Sequence, residues 1–372
     1  MKDRRWSLLA VVMALALAMA VAACGDDDDD DGGGGGGGGD SGGGGTIALL
    51  LPESKTARYE AHDRPNFERK VQELCPDCEI IYSNADQDAA QQQQQTEAAI
   101  TQGAEVLVLD PVDGAAAGPL VTRAKSQDIP VISYDRLILD ADVDYYISFD
   151  NEKVGQLQGQ SLVDKLEEDG AQGDIVMING APTDNNAKLF KNGAHSVIDD
   201  SPFKVAREFD TPDWSPDEAQ QEMEQAITAL GKDGFVGVYA ANDGTAGGAI
   251  AAMKGNGVDP KTIPVTGQDA ELAAVQRILT GEQYMTVYKA IRPEAEAAAE
   301  LAVALVRGEE PPADMVNGET DNGMKAVPSV LLEPVAVTKE NIQDTIVADE
   351  FYPVNEICSG QYASACKEAG IQ

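Results

Sequence analysis

The chain has 372 residues, of which 43% are hydrophobic and 24% charged, and 64 acidic against 27 basic residues give a formal net charge of −37. The apolar fraction excludes wholesale disorder, and the length fits about two domains. The acidic excess argues against nucleic acid as a partner, because phosphate binding needs clustered Lys and Arg, and against adhesion to anionic lipid through a basic face.

The first residues have the layout of an export signal. A basic start at 2–5 is followed by an uncharged apolar run from 6 to 23, whose last residues are small and directly precede Cys24. This arrangement resembles the lipobox of bacterial lipoproteins, in which the Cys is lipidated and becomes the new N-terminus. We expect a lipoprotein signal peptide over 1–23 and a lipid anchor on Cys24, which places the protein outside the cytoplasm on the cell membrane. The alternative is an uncleaved transmembrane anchor, since about 18 apolar residues nearly span a bilayer.

The segment after Cys24 consists of Gly, Asp and Ser alone up to residue 45, with runs of six Asp and eight Gly. These residues cannot build a core, so we expect 24–45 to be a lipidated Cys followed by a disordered tether. A Gly-rich coil of this length spans roughly 25 Å on average.

From residue 46 onward, short apolar segments alternate with helical patterns. In the first half the sequence predicts helices at 58–74, 88–102 and 115–127, and strands at 46–51, 79–85, 106–112, 129–135 and 145–150. After a helix at 152–168 the pattern restarts, with strands at 174–180, 204–210, 235–243, 263–269 and 284–290, a helix at 293–306 and an extended piece at 327–337. Continuous apolar strands separated by helices predict parallel sheets covered on both faces. We expect two tandem α/β units of the doubly wound kind.

Polar residues follow the ends of five predicted strands. They are Asp135 with Arg136, Asp184 with Asn186, Asn242 with Asp243, Asp269, and Lys289. Any one of them is explained as a turn former or a helix N-cap. Because open α/β sheets bind ligands beyond the carboxyl ends of their strands, five such ends in one chain predict a shared cleft.

Four cysteines remain besides Cys24, and an even number in an exported chain favours disulfides. Of the three possible pairings we expect the local one, which joins Cys75 to Cys78 and Cys358 to Cys366. The alternatives are a CxxC redox site and a four-thiolate zinc site. The CPDC segment lies between a helix and a strand, unlike a redox motif that opens a helix, and Cys358 and Cys366 are too far apart in sequence for a zinc knuckle.

Long segments of the chain are similar to the type I periplasmic sugar-binding proteins of bacterial ABC transporters, and among these to members that bind D-xylose. The matching segments include ISYDRLILDADVDYYISFDNEKVGQLQ, DNNAKLF, ANDGTAGGAI, GQDAEL and MTVYKAI. The resemblance implies an α/β fold of the type I periplasmic-binding-protein kind, with two doubly wound parallel-sheet lobes joined by a three-segment hinge. We expect an N-terminal lobe of 46–152 and 290–326, a C-terminal lobe of 153–289 and 327–347, and a disulfide-bearing tail at 348–372.

The resemblance also implies a sugar site of ten residues. Carried over position by position, they are Arg58, Tyr59, Asp135, Arg136, Asp184, Asn186, Trp214, Asn242, Asp269 and Lys289. Charged and amide groups bond strongly to hydroxyls, and Trp214 and Tyr59 are expected to cover the C–H faces of the ring. Tyr59 stands where well-known members carry Trp. The three cations and three carboxylates of this set cancel, which favours a neutral sugar.

We therefore expect a receptor that captures D-xylose by hinge closure and delivers it to the permease of an ABC importer with its cytoplasmic ATPase. We expect a monomer without cofactor or metal. The alternatives are a receptor for another aldose of the glucose type and a receptor that presents sugar to a membrane sensor. A transcription regulator of the same fold would need a helix-turn-helix, where this chain has a signal and an acidic spacer.

An enzyme is not expected. His62 and His195 lie in no nucleophile or metal motif. The three carboxylates of the site could mimic a glycosidase pair, but we expect the adjacent cations to keep them ionised, which leaves no acid.

Overall fold

The structure, a computed structural model, describes residues 44–312 and 314–371, which belong to one compact unit. The predicted signal peptide, Cys24 and nearly all of the tether lie outside the described residues. Within the described ranges no helix has the length and apolar character needed to cross a bilayer.

Strands and helices alternate along most of the chain. The strands are β1 (Thr46–Leu51), β2 (Glu79–Asn84), β3 (Val106–Leu109), β4 (Val131–Tyr134), β5 (Tyr145–Phe149), β6 (Asp174–Asn179), β7 (Lys204–Asp210), β8 (Gly237–Ala240), β9 (Met285–Tyr288), β10 (Gly318–Asp321), β11 (Ala326–Leu332) and β12 (Val335–Thr338). The helices are α1 (Arg64–Leu74), α2 (Ala89–Thr101), α3 (Gly118–Lys125), α4 (Asn151–Glu168), α5 (Asn185–Ile198), α6 (Pro216–Leu230), α7 (Asp243–Gly255), α8 (Leu272–Thr280), α9 (Ile291–Val306), α10 (Val354–Ile357) and α11 (Ala363–Glu368).

The first sheet has seven strands in the order β10-β11-β5-β4-β3-β1-β2. All neighbours are parallel except β10 and β11. Ile47 and Leu49 point into one buried cluster and Ala48 and Leu50 into another. Both faces of β1 are thus buried, as expected for a parallel strand covered by helices on each side.

The second sheet is built from β7-β6-β8, which are parallel, and from the antiparallel pair β9 and β12. The segment 263–269 joins the two parts through isolated bridges at Val265 and Gln268. It was predicted as a full strand, but Pro264 has no N–H to donate and the backbone turns into the left-handed region at Asp269. Its pairing is therefore sparse.

Over the described residues, the chain crosses between the sheets three times. It leaves the first sheet at Asp150, returns at Lys289–Ala290 and leaves again at Glu333–Pro334. The first lobe is the part of the chain that is built on the first sheet, together with α1–α3 and α9. The second lobe is the part that is built on the second sheet, together with α4–α8.

The third crossing differs from the predicted boundary at 326/327. The extended piece 327–337 was placed as a whole in the C-terminal lobe, but β11 pairs in parallel with β5 of the first sheet. Only β12 belongs to the second sheet. Pro334 separates the two strands, because it cannot continue a ladder of hydrogen bonds.

The four cysteines lie in two local pairs. Cys75 and Cys78 have Cα atoms 5.3 Å apart at the turn between α1 and β2, and Cys358 and Cys366 have Cα atoms 5.7 Å apart near the C-terminus. Both pairs have Sγ atoms at bonding distance. These positions favour the local pairing, and disulfide formation stays a prediction.

Candidate functional site

Side chains that follow the ends of strands in both sheets meet around one small cavity. The space that they surround amounts to about 260 Å³, and part of it is open to solvent. All ten residues of the predicted site line it: Arg58, Tyr59, Asp135, Arg136, Asp184, Asn186, Trp214, Asn242, Asp269 and Lys289. Thr56, Phe190 and Gln268 line it as well, although no pattern in the sequence marked them as site residues.

Arg58 and Tyr59 open a single π-helical turn, Tyr59–Asp63, that leads into α1. The Arg58 guanidinium donates to both oxygens of Asp63, at 3.0 and 2.6 Å, and to Glu294 Oε2 at 2.7 Å. Its remaining nitrogen reaches Asp135 Oδ1 at 3.1 Å. Arg58 is therefore fixed by carboxylates on three sides.

Asp135 follows β4 with a positive φ of 51°, a conformation that Asp tolerates better than most residues. Its carbonyl oxygen accepts from Ser148 Oγ at 2.7 Å and from Asn186 Nδ2 at 2.9 Å, which holds this backbone and turns the carboxylate to the cavity. Burial alone would raise the pKa of Asp135, but the charges of Arg58 and Lys289 lower it to about 2. Asp135 is ionised at neutral pH.

Arg136 is buried among acidic groups. Its Nε lies 3.1 Å from Asp184 Oδ2 and 3.6 Å from Asp110 Oδ1, and one terminal nitrogen lies 3.6 Å from Glu53 Oε1. Burial raises the pKa of Asp110 well above its ordinary value and raises that of Glu53. Asp110 has no hydrogen-bond partner on either carboxyl oxygen among the described residues.

The balance of three cations against three carboxylates is therefore incomplete. The two arginines also contact four buried acids that do not line the cavity. Arg58 contacts Asp63 and Glu294, and Arg136 contacts Glu53 and Asp110. Burial raises the pKa of Glu294 well above its usual range. The buried acids therefore outnumber the cations, and the cavity has no surplus of cations.

Sequence signals exist for half of these supporting acids. Glu53 and Asp110 follow β1 and β3, so the strand-end rule applies to them. Asp63 and Glu294 lie within helical segments, and Glu294 is 236 residues from the arginine that it holds. No local pattern marks such a partner.

On the second-lobe side, Asp184 caps α5 by accepting from the backbone N–H of Asn186 at 2.8 Å. Its other carboxyl oxygen accepts from Trp214 Nε1 at 3.1 Å. The Trp214 ring packs so closely on Gly180 that a Cβ there would lie 2.0 Å from it. Burial raises the pKa of Asp184 despite the neighbouring Arg136, and the ionised state of this carboxyl group stays a prediction.

Asn242 caps α7 in a reciprocal capping box with Thr245. Asp269, with φ of 91°, pairs with Lys289, whose Nζ lies 3.2 Å from Asp269 Oδ1 and 3.8 Å from Asp135 Oδ1. Lys289 stands at the second crossing and thus contacts carboxylates from both lobes.

Direct contacts between the lobes show that the cleft is closed. Arg136 pairs with Asp184, Asn186 donates to the carbonyl of Asp135, and the N–H of Gly114 donates to the carbonyl of Thr183 at 3.2 Å. The cavity therefore lies between two lobes in contact. Its walls offer cationic and amide donors, carboxylate acceptors and the aromatic rings of Tyr59, Phe190 and Trp214.

Comparison with known proteins gives concordant results. The family model described as periplasmic binding protein domain matches residues 47–310. The D-xylose-binding periplasmic protein of Escherichia coli (strain K12) is 41% identical over 315 residues, which cover 84% of this chain and 92% of that protein. The D-xylose-binding periplasmic protein of Haemophilus influenzae is 40% identical over 315 residues, covering 84% of this chain and 91% of that protein.

Solved structures agree on the fold. An ABC transporter solute-binding protein from Clostridium phytofermentans with bound β-D-glucose superimposes with a TM-score of 0.76 at 30% identity. The match covers 84% of this chain and 99% of that one. The α/β architecture expected from the sequence is thus confirmed.

Proposed function

The chain belongs to the periplasmic binding protein domain family, and we propose that it captures a neutral monosaccharide, with D-xylose as its first ligand, between its two lobes. The captured sugar is handed to the permease of an ABC importer. The protein acts by binding and release, without chemistry on the sugar.

One observation carries this proposal. Ten residues spread from position 58 to position 289 of the chain line a single small cavity between closed lobes. Their types match a sugar ring, since carboxylates accept from hydroxyls, Arg, Lys and Asn donate to them, and aromatic faces cover C–H groups. Trp214 and Tyr59 are the proposed walls for the ring.

The charges support a neutral ligand. Each of the three cations in the cavity is already paired with at least one buried carboxylate. A phosphosugar or a sugar acid would bring a negative charge into a cavity whose cations are already paired with carboxyl groups. Such a charge would stay unpaired, and burying an unpaired charge costs free energy of binding. We therefore exclude anionic sugars from the proposed ligands.

D-Xylose is favoured over other aldoses by the relatives at 40 and 41% identity, which are named for this sugar. Glucose is the second candidate, because a solved structure at 30% identity holds β-D-glucose. The two sugars differ by one exocyclic CH₂OH, so the choice depends on the wall that this group meets. A polar site discriminates strongly where a mismatch leaves a buried group unpaired.

The proposal places the protein outside the cytoplasm, held to the membrane through a lipid on Cys24. The relatives are named as periplasmic proteins, and the N-terminal pattern of the chain is that of a lipoprotein signal. The monomeric state and the partnership with a permease and its ATPase belong to the same proposal.

Calorimetric titration of residues 42–372 with D-xylose, D-glucose, D-ribose and L-arabinose tests it. We expect D-xylose to bind with a Kd of about 1 μM or lower, equivalent to about −8 kcal/mol, and to bind most tightly of the four. If another aldose binds more tightly, the protein is still a sugar receptor, but its preferred ligand is that aldose and not D-xylose. Absence of heat with all four sugars, for a protein that unfolds cooperatively, would reject the proposed function.

A further inference from the structure

The C-terminal tail, residues 348–371, packs on the second lobe. Ile357 and Cys366 are buried in one apolar cluster with Val275 and Ile278 of α8. The side-chain amide of Gln276 donates to the carbonyl oxygen of Glu356 at 3.1 Å. The tail is thus attached to the helix that follows Asp269 in the chain.

The same tail covers two of the three crossings between the lobes. Phe351 shares the apolar cluster with Phe149, at the end of β5, and with Tyr288, at the end of β9. The rings of Tyr288 and Phe351 meet edge to face at 5.1 Å. Phe351 therefore lies directly beside the crossing that carries Lys289.

From the hinge, the tail reaches the first lobe. The imidazole of His62 stacks on the ring of Phe351 with centroids 4.0 Å apart and planes 12° from parallel, and meets Tyr352 edge-on at 5.1 Å. The buried Nε2 of His62 has no hydrogen-bond partner among the described residues. The ring is therefore placed by aromatic packing on the tail.

His62 belongs to the π-helical turn that carries the first-lobe ligand groups. Arg58 and Tyr59 open this turn, and Asp63, the neighbour of His62, holds the Arg58 guanidinium through two hydrogen bonds. Fixing His62 thus fixes the turn whose side chains enter the cavity. The tail provides a contact between the lobes that is separate from the three crossings.

We propose that the tail is a clasp across the hinge, in which His62 and Phe351 are positioning residues that hold the Arg58–Tyr59 turn in its closed geometry. This inference rests on the proposed function, because it assigns the tail a part in sugar retention. Neither residue lines the cavity, so both act through Arg58 and Tyr59. Aromatic contacts of this kind contribute enough to change affinity about 3- to 10-fold.

Four variants of residues 42–372 test the clasp: His62→Ala, Phe351→Ala, the double variant and His62→Phe. We expect each alanine variant to bind D-xylose about 3- to 10-fold more weakly, mainly through faster dissociation. The double variant should bind D-xylose as tightly as the weaker-binding of the two single variants. His62→Phe keeps a stacking ring and should restore affinity to within about 2-fold of the unmodified protein. Phe235→Ala, which removes a buried ring from the far core of the second lobe, is the matched control and should lower stability without weakening binding.

A second readout needs no ligand. In urea unfolding, the effects of His62→Ala and Phe351→Ala should sum to more than the effect of the double variant, because the two rings contact each other. Additive unfolding effects, or unchanged affinity in both alanine variants, would overturn the clasp while leaving the receptor intact. If the unmodified protein binds no aldose, the proposed function fails, and additivity in urea alone then decides whether the two rings are coupled.

Discussion

On the first-lobe side of the cavity, Arg58 and Arg136 are held by buried carboxyl groups that stand behind them, from positions as distant in sequence as Glu53 and Glu294. On the second-lobe side, Asp184 and Asn242 are N-caps of the helices that they precede. One side depends on a charge network assembled from several elements, and the other on local backbone hydrogen bonds. Removal of a charge should therefore affect binding and stability together in the first lobe, whereas at the N-cap positions of the second lobe the two effects are separable.

The largest effect is expected for Arg136→Ala. The substitution leaves Glu53, Asp110 and Asp184 buried without their shared cation, and breaking a buried ion pair typically costs about 3–5 kcal/mol. We expect a loss of that order in the free energy of unfolding, together with D-xylose affinity more than about 100-fold weaker. Urea unfolding and titration measure the two effects.

Arg207→Ala is the control for this substitution, because Arg207 is exposed and its side chain donates, within the part of the chain that the structure describes, only to the carbonyl of Ala206. This control should change neither the free energy of unfolding nor the affinity for D-xylose. Near-normal sugar binding by Arg136→Ala would show that the first-lobe charge network is not part of the site.

The next effect tests whether the second lobe has its own charge dependence. Burial raises the pKa of Glu271 to about 8 and that of Asp243 to about 7. Between about pH 4 and 8 the folded protein therefore holds protons that the unfolded chain has lost, so the free energy of unfolding falls as the pH rises through this window. The contribution from Glu271 should be about 3 kcal/mol between pH 5 and 8.

Unfolding midpoints at pH 5, 6, 7 and 8 check this, and Glu271→Gln should flatten the slope because glutamine has no proton to lose. Glu333→Gln, at an exposed position, should leave the slope as it is. Equal slopes for the unmodified protein and Glu271→Gln would contradict the expectation.

A smaller effect is expected for Glu294→Gln. The change keeps an oxygen near Arg58 but replaces the acidic carboxyl group that accepts their 2.7 Å hydrogen bond with an uncharged amide. We expect D-xylose affinity to fall about 5- to 10-fold in titration, through a less rigid Arg58. Glu296→Gln on the same helix breaks a surface pair with Arg69, and such pairs contribute little, so a comparable loss in this control would refute the specific role of Glu294.

The smallest change in stability is expected at Asn242. Alanine removes the helix cap at a cost of about 1 kcal/mol, whereas aspartate caps equally well. Both substitutions lose the amide donor that faces the cavity, so both should weaken sugar binding, but only Asn242→Ala should lower the unfolding midpoint. A matching loss of stability in Asn242→Asp would show that capping and binding are not separable here.

The same contrast explains how far the sequence predicts this molecule. The strand ends at Asp135, Asp184, Asn242 and Asp269 were visible because a polar residue after a continuous apolar run marks the edge of a parallel sheet. Their convergence on one cavity follows from topology. Arg58 and Trp214 lie in irregular segments, and only the resemblance to the family pointed to them.

Three further features of the structure could not be predicted from the sequence, for physical reasons. Asp63 and Glu294 support the site from helices, where nothing local distinguishes them from surface acids. The split of 327–337 between two sheets depends on which neighbour each half pairs with, a long-range choice. The stack of His62 on Phe351 joins residues 289 positions apart, and no periodicity in the chain encodes it.

A crystal structure of residues 42–372 grown with D-xylose tests the central claim most directly, because it shows whether both lobes contact the sugar at once. We predict one pyranose between Trp214 and Tyr59, with hydroxyls within hydrogen-bond distance of Arg136 from the first lobe and of Asn242 and Asp269 from the second. A sugar held by one lobe alone, or density for xylose only outside this cavity, would contradict the account.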